Sequence, residues 1–148
     1  MREINFRGKA TERFADFKVF RPELFDGEWV YGSLVICNGR YFICTHAQCS
    51  TSTCINNGVT TMIEVIPETI GQFTGLLDKN GKKIFEGDVL DLPNWVVTYA
   101  ADTNESLGMN AGWYIQRNNF ESWMELENCS DYLVMDNVHD NPDMQKRD

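Results

Sequence analysis

The 148 residues are 43% hydrophobic and 24% charged, with a formal net charge of −9, the make-up of one ordinary globular domain rather than of a disordered or fibrous chain. No apolar run nears the roughly 20 residues that cross a bilayer, and the opening "MREINFRGKATERF" is charged where a secretory leader needs an apolar stretch, so a cytoplasmic protein with no membrane partner is expected. Nine acidic residues and one basic residue, Arg117, lie between Asp102 and Asp143; affinity for phosphates comes from Lys and Arg, so direct binding to nucleic acid is not expected.

The first element in chain order is "KATERFADFKVF", whose weak helical periodicity predicts one or two turns. Next, "GEWVYGSLVICNGRYFICTH" places two β-rich runs around Asn38-Gly39, the dipeptide of a type I′ turn, because both central positions need positive φ. A two-residue loop sets Cys37 opposite Arg40, Ile36 opposite Tyr41, Val35 opposite Phe42 and Leu34 opposite Ile43. Opposed residues share a face, and the side carrying Leu34, Ile36, Tyr41 and Ile43 is assigned to the core.

The five cysteines are an odd number, and a cytoplasmic chain keeps them as thiols. "CTHAQCSTSTC" offers Cys44, His46, Cys49 and Cys54 as zinc donors. Structural zinc sites bring two pairs from separate parts of a chain, whereas these four share one short loop, so an ordinary loop and no metal are expected. Cys37 and Cys44 are excluded as a disulfide, since Cys37 faces Arg40 and Cys44 lies about 13 Å further along the strand. Cys49 with Cys54 would close a small loop only in an oxidising setting.

A second hairpin follows: "FTGLL" and "KKIFEG" enclose "DKNG", in which Asp78 caps the turn and Gly81 takes the left-handed position. Gly87-Asp88 then turns the chain into "VLDL", which ends at Pro93, a residue unable to donate to a ladder. "WVVTYA", "GWYIQ" and "DYLVMDNV" are further strands, and "NNFESWMELEN" is expected as a short helix with Phe120, Trp123 and Met124 on one face. Many short strands between turn signals make a mainly β chain, a small barrel or paired sheets.

Four blocks, "MREINFRGK", "DGEWVYGSLV", "VIPETIGQFTGLLDKNGKKIFEGDVL" and "VMDNVHDNPDM", resemble in order and spacing the YopX-like family of phage and prophage proteins, across most of the chain. The resemblance implies a single YopX-like domain over 1–148, a small SH3-like β-barrel with additional strands and one or two short helices, and no known activity. It brings framework positions only: Glu68, Thr69, Gly71, Gly75, Asn80, Gly81, Gly87 and Asp88. The stretch from His46 to Asn57 is variable in the family pattern, and Asp136 stands before Asn137 where the pattern has Gly.

Groups that could carry chemistry have plainer structural readings. His139-Asp140 lacks a second nearby His and reads as a turn histidine. Glu64, Glu68, Asp78, Glu86, Asp88 and Asp91 supply paired carboxylates in principle, but acids at strand ends accept backbone hydrogen bonds, the role assigned to Asp78 and Asp88. Trp95, Trp113, Trp123 and Tyr114 read as core, with an exposed recognition patch as the alternative. No phosphate loop, nucleophile elbow or helical zinc motif is present in the sequence. No catalytic, cofactor-binding or metal residue is therefore assigned. The expected function is a non-enzymatic interaction module that self-associates or binds a host factor. The alternatives are an acidic nucleic-acid mimic using Glu121 to Asp143, and a small enzyme or nucleic-acid-directed protein using rim carboxylates or the basic tip Lys79, Lys82 and Lys83.

Overall fold

The computed structural model describes residues 3–14, 16–48, 58–92, 94–101, 108–117, 120–129 and 131–142, with backbone alone at 46–48, 58–60 and 128–129. The chain divides into two compact units, Met1–Gln72 and Phe73–Asp148.

In the first unit, β1 (Phe6–Lys9), β2 (Phe25–Asp26), β3 (Trp29–Cys37), β4 (Arg40–Gln48) and β5 (Gly58–Glu64) accompany a one-turn helix α1 (Phe17–Phe20) and 3-10 turns at Glu12–Phe14, Pro22–Leu24 and Pro67–Thr69. The strands run antiparallel in the order β5-β4-β3-β1, with β2 also on β3. The first residues of β6 (Gly71–Leu77) add to β1, Gln72 opposite Phe6 and Gly71 opposite Arg7.

The hairpin register is the one expected: Cys37 faces Arg40, Ile36 faces Tyr41, Val35 faces Phe42 and Leu34 faces Ile43. Asn38 and Gly39 carry the positive φ angles, 52° and 74°, that a type I′ turn demands. Its core face needs one correction. Ile43 is fully buried, and Leu34 and Tyr41 pack beside it against Val30, Ile63 and Val65, but Ile36 is 58% exposed. The alternation is right; Ile36 adjoins the turn, beyond the reach of the elements that cover the sheet.

Gly32 has a steric role in this sheet. A Cβ there would stand 2.1 Å from the carbonyl oxygen of Cys44, so the two backbones approach at a distance that only hydrogen allows.

In the second unit, the rest of β6 pairs with β7 (Lys83–Phe85). β8 (Asp88–Leu90), β9 (Val96–Ala100), β10 (Gly112–Arg117), β11 (Ser122–Glu125) and β12 (Val134–Asn137) form an antiparallel sheet ordered β11-β10-β9-β8-β12. Ile84, Leu90, Val97, Ile115 and Leu126 make its core, with Trp95, Trp113 and Met124 packed against them.

The helix expected over "NNFESWMELEN" is a correction. Ser122–Glu125 is a strand, followed by a 3-10 turn at Leu126–Cys129. Met124 opposes Ile115 and Trp123 opposes Gln116, which sends Met124 to the core face and Trp123 to the other. There Tyr114 meets Trp123 edge-on, ring centroids 5.3 Å apart. A helix this short leaves most of its backbone groups unpaired, whereas a place beside β10 satisfies them.

The chain is thus mainly β. Among the described residues the ladders form open orders, and no pairing closes a barrel.

Candidate functional site

Lys9 closes β1, and its position is set on three sides. It opposes Trp29, its backbone N–H donates to Thr69 Oγ1 at 2.9 Å, and its carbonyl accepts the Ile66 N–H at 2.8 Å. Thr69 in turn donates its hydroxyl to the Ile66 carbonyl at 2.6 Å, so the Pro67–Thr69 turn is tied to the end of β1. The next residue, Ala10, bridges Val65 and donates its N–H to the Glu28 carbonyl.

These ties leave a pocket of about 360 Å³ lined by Lys9, Ala10, Glu12, Lys18, Phe25, Glu28 and Ile66, within the size range of small-molecule and side-chain pockets. Three of the lining residues are apolar, Ala10, Phe25 and Ile66, and four are charged, two cations and two carboxylates. Lys9 Nζ lies 3.5 Å from the Glu28 carboxylate and 5.4 Å from the Trp29 ring centroid. The ring takes a second cation, the Arg7 guanidinium, at 4.7 Å, an attraction of aromatic face to positive charge. The one-turn helix α1 supplies Lys18 to the lining and carries Val19 and Phe20, 79% and 75% exposed. Large apolar groups so fully in water on consecutive residues are a feature of interaction surfaces.

The groups singled out in the sequence do not gather here. Cys37 is exposed and Cys44 half-buried, both as free thiols, and Cys44 opposes Ser33. The His46 side chain, Cys49, Cys54 and Pro93 lie outside the described residues. Among those described, no three His, Cys, Asp or Glu side chains gather to hold a metal ion.

The carboxylates are divided between the two units. Glu64 receives Arg40 through two hydrogen bonds of 2.9 Å, and this partner holds its carboxyl below the ordinary range. Glu68 is exposed in its 3-10 turn.

In the second unit, Asp78 accepts the N–H groups of Asn80 and Lys82 on one oxygen, each at 2.9 Å, and that of Val134 on the other at 3.0 Å. Burial pushes this carboxyl up; the three backbone donors and the Lys82 charge outweigh it and hold it below the usual value. Gly81 has φ 82°, so the hairpin turn is built as expected. Asp88, 1% exposed, accepts the Phe85 N–H at 2.8 Å, and Asp91 accepts that of Leu133 at 3.1 Å. Asp78, Asp88 and Asp91 thus organise backbone.

His139 sits in a turn: Asn137 Oδ1 accepts the N–H groups of His139 and Asp140, and Asn137 Nδ2 donates to Asp140. Asp136 accepts the Asn137 N–H at 2.8 Å, so an Asp in the place of the pattern's Gly contributes a side-chain cap. Trp95 and Trp113 pack on the core, and Tyr114 is buried with its hydroxyl donating to the Asn110 carbonyl at 2.6 Å. Lys79 and Lys82 are exposed at the hairpin tip, while Lys83 lies over the Phe73 ring, 5.2 Å from its centroid.

The pocket residues escaped the sequence reading because they come from five short segments that no spacing links. The one local signal was "FKVF", a helical turn too short to bury both of its aromatic ends.

A mainly antiparallel β chain with a pocket in its first unit and a five-stranded sheet in its second is the class of protein that these elements define. A family profile described as YopX protein matches residues 17–145, and the chain belongs to the YopX family. No curated protein matches it. Among the described residues no helix is long and apolar enough to cross a membrane.

Proposed function

We propose that this YopX-family chain is a bacteriophage or prophage accessory protein that works as a non-enzymatic protein-interaction module in the host cytoplasm. The observation that carries this reading is the surface of the first unit, where Val19 and Phe20 stand in solvent on the helix that contributes Lys18 to a pocket. Apolar groups of that size contribute binding energy when a partner removes them from water.

The second unit supports an SH3-like reading of the scaffold. Its order β12-β8-β9-β10-β11 is a four-stranded meander, then a 3-10 turn at Leu126–Cys129, then a fifth strand returning antiparallel to the first, the connectivity of an SH3-like small barrel. On this reading the first unit holds the additional elements and the partner-binding surface.

Affinity purification of the tagged chain from infected cells, with mass spectrometry, tests the proposal. A stoichiometric protein partner, whether a host factor or untagged copies of this chain, is the expected result, and its loss on Phe20→Ser places it on this surface. A co-purifying small molecule that is turned over would overturn it.

One observation favours a second reading, an acidic mimic of nucleic acid: Glu121, Glu125, Glu127, Asp131 and Asp140 are all exposed. Salt separates the two, since a partner held by charge is released as ionic strength rises and one held by apolar contact is retained.

A further inference from the structure

We infer that Asn38, at the tip of the β3–β4 hairpin, is a site of spontaneous backbone modification through a succinimide, and that Asp78 withholds the chemically identical Asn80 from the same reaction.

The reaction belongs to the dipeptide. Asparagine is thermolabile, because the backbone nitrogen of the following residue can attack its side-chain carbonyl carbon. At the hairpin tip the Gly39 nitrogen bonds to Asn38 Cγ and the bond from Cγ to the side-chain nitrogen breaks. That nitrogen leaves as ammonia, with the proton given up by the Gly39 amide. Water then opens the cyclic imide at either carbonyl and leaves Asp or isoaspartate at position 38. Glycine favours the attack, since it has no Cβ to obstruct the approach. Asn38-Gly39 and Asn80-Gly81 meet these requirements equally: all four residues are exposed, and no heavy atom lies within 4 Å of where a Cβ would stand on either glycine.

Hydrogen bonding separates the two. Ring closure needs the asparagine to swing its following peptide out of the turn, so the turn must first loosen. In the second turn the attacking group itself is engaged, because the Gly81 N–H donates to the Asp78 carbonyl at 2.9 Å. The N–H groups of Asn80 and Lys82 are held on the Asp78 carboxylate, each at 2.9 Å. Asp78 is buried and also accepts the Val134 N–H at 3.0 Å, which anchors this turn to β12. In the first turn, among the described residues, neither the Asn38 side chain nor the Gly39 N–H makes a hydrogen bond. The next pair, Cys37 with Arg40, is exposed, and such a tip opens locally at small cost.

The product changes the fold where it forms. Isoaspartate carries the main chain through its side-chain carbon and so lengthens a two-residue loop whose size sets the strand register. Both products add a negative charge to a chain that already carries −9.

A time course of the full chain at neutral and mildly alkaline pH, read by peptide mapping with mass spectrometry and an isoaspartate assay, tests this. Each rate is referred to that of the same residue in the urea-unfolded chain, where no turn restrains either dipeptide. On that scale Asn38 is expected to convert about tenfold or more faster than Asn80, whose turn must break additional hydrogen bonds. Asp78→Ala, checked for folding by far-ultraviolet circular dichroism, should raise the Asn80 rate towards that of Asn38 and leave the Asn38 rate unchanged. Where that variant does not fold, the wild-type ratio decides alone. The inference is overturned by an Asn38 that stays intact in the folded chain while the unfolded chain converts. It is overturned equally by a folded chain in which Asn80 keeps pace with Asn38, or by a folded Asp78→Ala variant in which Asn80 stays as slow as before.

Discussion

Val134 donates its backbone N–H to a carboxylate oxygen of Asp78 at 3.0 Å, across 56 positions of sequence. The other oxygen of Asp78 holds the Asn80 and Lys82 amides of its own turn, and the Lys79 N–H reaches the Tyr132 carbonyl at 3.0 Å. One side chain therefore closes the β6–β7 turn and attaches to it the chain that enters β12.

Asp78→Asn keeps the size of the side chain but presents an NH₂ where one set of backbone donors points. Leaving a buried donor unsatisfied costs about 1–3 kcal/mol. Urea unfolding should show a lower midpoint by that amount, and Asp78→Ala should cost at least as much. An unchanged midpoint would show that the latch contributes nothing.

Acid should weaken the fold with a defined sign. The Asp78 carboxyl titrates below its ordinary value in the folded chain because backbone donors outweigh burial, and the Glu64 carboxyl does so beside Arg40. An unfolded Asp has a pKa near 3.9 and a Glu near 4.3. The stability these two supply is present above those values and is lost as pH falls through the lower folded ones. Thermal melts between pH 7 and pH 2 should show this decline, and Asp78→Asn should flatten part of it.

Gly32→Ala should be among the most damaging single changes in the first unit. The new methyl would meet the Cys44 carbonyl oxygen 2.1 Å away, and backbone cannot step aside as a side-chain tip can. Overpacking of this kind costs about 1–3 kcal/mol or more. A large drop in melting temperature is expected; retention of the wild-type value would mean that β3 and β4 separate more easily than their spacing implies.

Glu64→Gln should do little. The Arg40–Glu64 pair has good two-bond geometry, but the Arg40 side chain is half in water, and such pairs are screened and weak. A slight loss in melting temperature that vanishes at high salt is the expected outcome, and a loss that persists there would point to a structural role beyond charge.

The parts of this fold legible in the chain were those dictated by near neighbours. Asn38-Gly39 imposes its turn through backbone angles, and the register of nine-residue strands on either side follows without reference to the rest of the molecule. Asp78 and Gly81 act within four residues of each other in the same way. The family resemblance was readable too, and a YopX profile matches residues 17–145.

Where the outcome depended on distant residues, local pattern was insufficient. "ESWMEL" contains residues that suit a helix face, yet β10 offered its backbone a ladder and separated Trp123 from Met124. Ile36 obeys the hairpin's alternation but stands in water, since burial depends on what packs above a strand. The pocket joins the end of β1, the 3-10 turn at Glu12–Phe14, α1, the stretch from Phe25 to Glu28, and Ile66, segments with no shared spacing. Composition, turn angles and strand alternation act over a few residues and were settled by the sequence. Which faces are covered, which short segment becomes strand or helix, and where a cavity opens depend on long-range packing free energy, and those only the folded chain decides.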